Sequence, residues 1–275
     1  MSTPKKPVAQ RPKTQSSDRN TANILVAIPV FNEYKYVDDV LHAINQYADN
    51  VLVVDDGSTD GTSDVLKRYA YLEIISHRMN LGYGQSLIDA FKFAYRHKFD
   101  WLITVDCDHQ HEPSYIPRFY SEIEKDDADI ISGSRYLRRI DLGSSPPPQE
   151  RVAINRRITD ILNKSLAIGL TDAFCGFKAY RTKAVFELEL TERGYGFPLQ
   201  LWVRASRADL KICEIPVPLI YHDIKRNFCG TLEDPRKRMS YYVEIIRREL
   251  GHNVSRNITE PFFHSQTERR YLCKS

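Results

Sequence analysis

The feature that most constrains this chain is an apolar stretch that ends abruptly in two closely spaced carboxylates. Residues 101–105 read Trp-Leu-Ile-Thr-Val, a run of β-branched and aromatic side chains that is typical of a buried strand. Asp106 and Asp108 follow, and Gln110 comes two residues later. If the backbone stays extended, the two-residue period of a strand puts these three oxygen-bearing side chains on one face. Because Mg²⁺ and Mn²⁺ prefer oxygen ligands, the stretch predicts a site for one of these metals.

Two other interpretations of this stretch stay open. Asp-x-Asp is common in surface turns, so its position after a predicted buried strand is what favours a ligand site. The second interpretation is a zinc site, since Cys107, His109 and His111 would lie on the opposite face of the strand. However, no Cys-x-x-Cys or second His pair completes a set of four ligands. A metal held by few protein groups keeps positions for a diphosphate, so we expect a nucleotide or nucleotide-sugar site.

Strand-like and helix-like segments alternate along most of the chain. This alternation predicts an α/β fold with a mostly parallel sheet flanked by helices, in a single domain. An edge strand is expected where prolines interrupt an apolar run, and a long helix is expected near the end. The predicted strands occupy residues 24–30, 51–54, 72–76, 101–105, 129–133, 211–215 and 216–221. The predicted helices occupy residues 36–47, about 62–70, about 85–97, 115–125, 150–168 and 235–250.

The two ends of the chain differ from its centre. Residues 1–20 are polar and lack apolar periodicity, which predicts a disordered tail. Residues 21–250 are expected to form the domain, and residues 251–275 are either a polar tail or a packed extension. No apolar run approaches the roughly 20 residues of a membrane span. The amphipathic pattern at residues 150–168 fits either core packing or an anionic membrane surface.

Composition excludes some classes of function. A formal net charge of +3 is too small to indicate nucleic-acid binding, so no such partner is expected. Five cysteines occur singly, which fits a reducing compartment such as the cytoplasm better than a disulfide framework.

Five motifs follow one another in a definite order. They lie at residues 28–33, 53–62, 80–84, 106–113 and 133–136. Together they resemble family 2 glycosyltransferases of the GT-A fold, and most closely the dolichol-phosphate mannose synthase and polyprenyl-phosphate glycosyltransferase group. Each motif is weak alone, but the ordered set is specific. The resemblance implies an inverting transfer of a hexose from GDP-mannose or UDP-glucose to a polyprenyl phosphate, with Mg²⁺ or Mn²⁺, peripherally on the cytoplasmic face of a membrane.

The resemblance also implies roles for individual residues. Catalytic roles fall to Asp108, Arg135 and Asp172, and metal binding falls to Asp106, Asp108 and Gln110. The acceptor phosphate would be bound by Arg135, Arg151 and Asn155. The nucleotide sugar would be bound by Pro29, Phe31, Glu33, Val54, Asp56, Asp106, Cys107 and Arg226.

Two of these carboxylates have alternative roles. Asp56 would accept hydrogen bonds from a uracil or guanine ring, or it would cap the next helix, which Asp60 or Ser58 would do equally well. Asp172 would be a general base for a hydroxyl acceptor, or it would orient arginines for a phosphate acceptor. A phosphate nucleophile is already anionic and requires cations instead of a base, and guanidinium groups bind phosphate bidentately.

The chain departs from the family pattern at two positions. Asn155 stands where the family commonly has serine, and Leu232 stands where a lysine is expected in the late active-site loop. Arg236, Lys237 or Arg238 are the candidates to replace that lysine. Two alternatives therefore stay open, namely transfer to a saccharide or other lipid hydroxyl, and a non-catalytic nucleotide-binding paralogue.

Overall fold

The structure is a computed structural model that describes residues 22–138, 140, 145–220 and 230–251. The strands are β1 Ile24–Val30, β2 Val51–Asp55, β3 Glu73–Ser76, β4 Trp101–Thr104, β5 Ile130–Ser134, β6 Lys178–Arg181 and β7 Ile212–Pro216. The helices are α1 Val37–Ile44, α2 Thr62–Leu66, α3 Tyr83–Arg96, α4 Ile116–Ile123, α5 Gln149–Leu166, α6 Thr182–Phe186, α7 Phe197–Arg207 and α8 Pro235–Leu250. Short 3-10 turns lie at Pro113–Tyr115 and Gly230–Glu233.

The seven strands form one sheet in the order β3-β2-β1-β4-β6-β5-β7. Strands β1 to β4 are mutually parallel, and β5 is parallel to β7. Strand β6 runs antiparallel to both of its neighbours, β4 and β5. Six strands therefore point the same way, and the chain entering β6 meets their carboxyl ends at one edge of the sheet. The predicted mostly parallel α/β fold is confirmed.

The central strands are apolar on both faces, as expected of a parallel sheet covered by helices. On β1, Leu25 and Ala27 belong to the core formed with α3, α5, α7 and α8. Val26 and Ile28, one residue out of phase, pack with α1, α2 and α4 on the other face. Full burial of a side chain the size of Leu25, Val26 or Ile28 stabilises the fold by about 1.5–3 kcal/mol. The strand ends that carry the polar loops are therefore held by two well-packed layers.

Most predicted elements occur within a few residues of their expected bounds, and strand β1 and helix α8 match theirs fully. The edge strand expected over residues 216–221 is wrong, because β7 ends at Pro216 and residues 217–220 form no strand. Val217 N–H still donates to Ser134 O at 3.0 Å, but Pro218 has no N–H to continue the ladder. Val217 and Ile220 are buried instead.

The apolar stripe of α5 packs into the protein. Ile158, Ile161 and Leu162 are all buried in the core formed with α7 and α8. Of the two alternatives left open for this stripe, the structure therefore supports core packing. Among the described residues, no helix combines the length and hydropathy that crossing a bilayer requires.

The predicted tail at residues 1–20 and nearly all of residues 251–275 lie outside the described residues. Cys107 and Cys175 are buried thiols that form no disulfide, as the single spacing suggests. Cys213 on β7 takes part in a disulfide, against the expectation from spacing. Separation along the chain does not report separation in space, which is what decides whether two cysteines pair.

Candidate active site

A cavity of about 940 Å³ opens at the carboxyl edge of the sheet. Its size is in the range of pockets that hold cofactor-sized ligands. Most residues assigned from the sequence border it, namely Pro29, Phe31, Glu33, Asp56, Asp106, Cys107, Asp108, Gln110, Arg135, Arg151 and Asn155. Val54 does not border it, because its side chain is 1% exposed and packs in the core on the α3 side. Asp172 is fully buried behind Arg135, and Arg226 lies outside the described residues.

The loops after β1 and β2 are joined to each other by hydrogen bonds. Asn32 has φ 56°, a conformation that asparagine tolerates better than most residues. Its N–H donates to Ser58 Oγ at 2.9 Å, and its Oδ1 accepts from Thr59 N–H at 2.8 Å. Glu33 N–H donates to Thr62 Oγ1 at 2.9 Å. These bonds fix the cavity wall formed by Pro29, Phe31 and Glu33.

Asp56 is a buried carboxylate that borders the cavity, with 3% of its surface exposed. It accepts hydrogen bonds from Leu81 N–H at 2.8 Å and Gly82 N–H at 2.9 Å. The helix-capping alternative is wrong, because Asp60 accepts Thr62 N–H at 3.0 Å at the start of α2. Asp56 instead joins the loop after β2 to the loop before α3.

A histidine that sequence reasoning missed completes this arrangement. His77 follows β3 directly, and its Nδ1 lies 2.7 Å from Asp56 Oδ1. Its Nε2 lies 3.2 Å from Asp89 Oδ2 on α3. His77 therefore fixes the orientation of Asp56 from behind. The available signal was its position, because His77 is the first residue after a strand whose carboxyl end lies at the site edge.

The backbone turns at the Asp-x-Asp motif and does not stay extended. His109 has φ 58°, and Gln110 N–H folds back to Asp108 Oδ1 at 3.0 Å. The simple two-residue alternation expected beyond Asp106 is therefore wrong. Asp106, Asp108 and Gln110 nevertheless all border the cavity, because the turn brings them there.

Asp106 is held by groups on three sides. Its Oδ1 accepts a hydrogen bond from Tyr83 OH at 3.0 Å, and its N–H donates to His111 Nδ1 at 3.0 Å. Burial lowers the pKa of His111 to about 4, so the ring is neutral and Nδ1 is free to accept. A Cβ on Gly176 would collide with the Asp106 carboxylate, so glycine is required beside it. The carboxylate is thus fixed in direction at the cavity wall.

The donor set at this turn suits a hard divalent cation. Two carboxylates and one amide oxygen border the same cavity, and they leave positions for oxygens of a bound phosphate. Throughout the part of the chain that the structure describes, no three His, Cys, Asp or Glu side chains form a metal-binding group. The zinc alternative therefore has no ligand set there, whereas a two-carboxylate site for Mg²⁺ or Mn²⁺ fits the residues present.

Arg135 and Asp172 form a buried ion pair at the other end of the cavity. Arg135 Nε donates to Asp172 Oδ2 at 2.6 Å, and Nη2 donates to Oδ1 at 2.9 Å. Asp172 Oδ1 also accepts from Asn155 Nδ2 at 2.8 Å and Phe174 N–H at 3.1 Å. Burial alone would raise the pKa of Asp172, but the Arg135 guanidinium and these hydrogen bonds hold it well below its usual value. A carboxylate so stabilised as an anion is a weak base, and the geometry favours the orienting role over the general-base role.

Leu232 stands where the family pattern has a lysine in the late active-site loop. Leu232 lies in the 3-10 turn before α8. Of the three candidate replacements for the missing lysine, Arg238 borders the cavity and is buried, whereas Arg236 and Lys237 are exposed. Arg238 Nη1 donates to Leu232 O at 3.0 Å, and Nη2 donates to Glu150 Oε1 at 2.9 Å. Arg238 therefore joins this turn to α5.

The sequence also resembles known proteins. The family model described as Glycosyl transferase family 2 matches residues 25–188. An undecaprenyl-phosphate mannosyltransferase of Micrococcus luteus is 26% identical over 210 residues, which cover 73% of this chain and 85% of that protein. A polyprenol monophosphomannose synthase of Mycolicibacterium smegmatis is 28% identical over 211 residues, covering 72% of this chain and 78% of the relative.

Solved structures agree on the fold. Glucosyl-3-phosphoglycerate synthase from Mycobacterium tuberculosis in complex with uridine diphosphate superimposes with a TM-score of 0.64 at 16% identity. The match covers 83% of this chain and 80% of the synthase. The predicted GT-A fold is thereby confirmed. Because the family model spans more than half of its residues, the chain belongs to glycosyl transferase family 2.

Proposed function

We propose that this glycosyltransferase moves a hexose, with inversion, from GDP-mannose or UDP-glucose to a polyprenyl phosphate. The observation that carries the proposal is the buried Arg135–Asp172 pair. In this pair, the Asp172 carboxylate is bound to Arg135, and the Arg135 guanidinium borders the cavity. An anionic phosphate nucleophile needs a cation and no base, whereas a hydroxyl nucleophile needs a base. The relatives named for undecaprenyl-phosphate and polyprenol substrates support the same acceptor class.

The donor would lie against the β1, β2 and β4 ends. Asp56, fixed by His77 and the loop before α3, is the candidate to accept N–H groups of the uracil or guanine base. Asp106, Asp108 and Gln110 would hold Mg²⁺ or Mn²⁺ beside the diphosphate. Such a metal, when bound, offsets the negative charge that develops on the leaving nucleoside diphosphate. Structures of the phosphoglycerate synthase contain Mn²⁺ or Mg²⁺ with uridine diphosphate, which supports a divalent cation here.

The acceptor would lie between α5, α8 and the loop after β5. Arg135 and Arg151 supply cations, and Asn155 supplies an amide already oriented by Asp172. Apolar side chains border the cavity next to these groups, and the rings of Phe174 and Tyr242 are 4.8 Å apart. An anion-binding pair beside an apolar wall suits a phosphate that carries a hydrocarbon chain.

A polyprenyl acceptor lies in a membrane, so we expect peripheral membrane association; the cytoplasmic face is the one that the family resemblance implies. Since the apolar stripe of α5 is buried, the basic residues that remain exposed are the ones available to anionic lipid. They include Arg156 and Arg157 on α5 and Arg236 and Lys237 on α8. Each basic residue near an anionic surface contributes about 1 kcal/mol at physiological salt. Flotation of the protein with anionic liposomes, but not with neutral ones, is the expected result.

The decisive experiment measures transfer to lipid directly. Purified protein is incubated with Mn²⁺ or Mg²⁺, polyprenyl phosphate and one radiolabelled nucleotide sugar at a time, and the organic extract is counted. Label in the organic phase with one donor, lost in Arg135→Ala and retained in Arg96→Ala, an exposed arginine in the last turn of α3 that does not border the cavity, supports the proposal. Transfer that requires a hydroxyl acceptor instead, or nucleotide binding without any turnover, overturns it.

A further inference from the structure

A buried glutamate outside the cavity accepts several hydrogen bonds from the segment that carries Asp172. Glu214 lies on β7 and is 7% exposed. Its Oε2 accepts hydrogen bonds from Thr171 N–H at 2.9 Å and from Thr171 Oγ1 at 2.7 Å. Its Oε1 accepts from Asp172 N–H at 3.1 Å. The turn that carries Asp172 is therefore fastened to β7 by three donors on one carboxylate.

A chain of hydroxyl groups extends this attachment to the loop after β5. Tyr136 N–H and Leu137 N–H both donate to Ser134 Oγ, at 3.2 and 3.0 Å. Ser134 Oγ lies 2.5 Å from Thr171 Oγ1. Because two amides occupy the acceptor positions of Ser134, its own hydrogen points to Thr171, and the hydrogen of Thr171 points to Glu214. The hydrogen bonds run in one direction and end on the Glu214 carboxylate.

The two segments held in this way carry the two members of the buried ion pair. Arg135 directly follows Ser134, and Asp172 directly follows Thr171. We propose that Glu214 is a positioning residue for Arg135, fixing both the arginine loop and its carboxylate partner through the Ser134–Thr171 hydroxyl chain. The inference rests on the proposed role of Arg135 at the acceptor phosphate.

The ionised form of Glu214 is the one that suits this role. Burial raises the pKa of Glu214 to about 7, while the donors from Thr171 and Asp172 oppose that rise and the Asp172 charge adds to it. A neutral side chain of the same shape would place hydrogens opposite donors and leave at least one of them unpaired. Glu214→Gln is therefore the direct probe of the carboxylate.

The test uses the full chain and separates positioning from folding. Thr171→Val removes the central hydroxyl with little change of shape, and Thr171→Ser retains it as a rescue variant. Thr182→Val is the matched control, because Thr182 is 2% exposed and its Oγ1 has no hydrogen-bond partner within the described residues. The readouts are the KM for polyprenyl phosphate, the Kd for the nucleotide sugar, and hydrogen exchange at the amides of Tyr136 and Leu137.

In Glu214→Gln and Thr171→Val, we expect the acceptor KM to rise about tenfold or more, since one buried donor loses its partner in each. The nucleotide-sugar Kd stays unchanged, the two amides exchange faster, and Thr171→Ser recovers most of the loss. Wild-type acceptor KM in both variants, or an equal rise in Thr182→Val, overturns the inference. If wild-type protein transfers nothing to polyprenyl phosphate, the proposed function fails, and unchanged amide exchange in the variants would separately refute the positioning network.

Discussion

Replacing Asp172 by asparagine tests the central ion pair most directly. The carboxylate is fully buried, and the Arg135 side chain is 12% exposed. Asparagine keeps one oxygen, which still accepts from Asn155, Phe174 and Arg135 Nη2, but its NH₂ group would face the donors Arg135 Nε and Arg135 N–H. The substitution therefore leaves a buried guanidinium without its counter-ion while changing the shape very little.

The magnitude follows from this geometry. Breaking a buried ion pair by removing one partner costs about 3–5 kcal/mol, and the three retained hydrogen bonds place Asp172→Asn near 3 kcal/mol. With a urea m-value of about 2 kcal/mol per molar, the unfolding midpoint falls by about 1.5 M. If the same misorientation of Arg135 is felt in the transition state, kcat/KM for the lipid phosphate falls about 10²-fold.

Urea unfolding followed by circular dichroism measures the stability loss, with Asp126→Asn as the control. Asp126 also pairs with an arginine, Arg181, at 2.6 Å, but its side chain is 75% exposed, so its loss costs at most about 1 kcal/mol. The pKa of Asp172 is lowered by folding, so its contribution is complete above its usual value of 3.8 and disappears only in stronger acid. The contribution of the Asp172 carboxylate itself is therefore constant from pH 6 to 8, and any pH dependence of the difference in this range comes from Glu214, whose pKa of about 7 the Asp172 charge helps to raise. A loss below 1 kcal/mol, or one equal to that of Asp126→Asn, refutes the reasoning.

Three further predictions concern the donor side. Ser86→Ala leaves the unfolding free energy unchanged, because the buried Ser86 Oγ at the cavity has no hydrogen-bond partner among the described residues. We expect the same variant to raise the nucleotide-sugar Kd about fivefold, as measured by calorimetry. An unchanged Kd contradicts a contact between Ser86 and the ligand. His77→Phe removes the hydrogen bond that orients Asp56, so we expect the nucleotide-sugar Kd to rise about tenfold while the KM for polyprenyl phosphate stays unchanged. A rise in the acceptor KM with an unchanged nucleotide-sugar Kd would contradict this role of His77. Asp108→Ala lowers transfer about 10²-fold or more and removes the Mn²⁺ dependence of nucleotide binding, whereas retained metal dependence would exclude Asp108 as a ligand.

The sequence predicts the location of the site well because strand direction decides it. Phe31, Asp56, Asp106 and Arg135 each follow a predicted strand, and parallel strands bring their carboxyl ends to one edge. No side-chain contact has to be known for this inference, since alternation of strands and helices is sufficient. The position of β6 was not predictable in the same way. Its antiparallel insertion between β4 and β5 brings Asp172 beside Arg135.

The supporting contacts were not visible in the sequence, because they join segments that are distant along the chain. His77 reaches Asp56, Tyr83 reaches Asp106, and Glu214 reaches Thr171, across separations of 21, 23 and 43 residues. Periodicity was also unable to decide the environment of α5, because an apolar stripe looks the same whether it faces a core or a membrane. The turn at Asp108 depends on a left-handed residue, His109, that no residue-type rule requires.

The sheet divides the supporting contacts into two networks. Asp56, His77 and Asp89 belong to the β1–β4 half, whereas Thr171 and Glu214 are tied to the β5–β7 half. Within the described part of the chain, the side-chain hydrogen bonds of the two sets share no residue. Independent networks predict additive effects, so the double variant His77→Phe/Thr171→Val should lose kcat/KM by the sum of the single losses within about 0.5 kcal/mol. A coupling larger than about 1 kcal/mol would mean that donor and acceptor binding communicate through the cavity. Asp106 would then be the best-placed link between the two networks. Tyr83 of α3 donates a hydrogen bond to its carboxylate, and Gly176, in the segment leading into β6, contacts the same carboxylate.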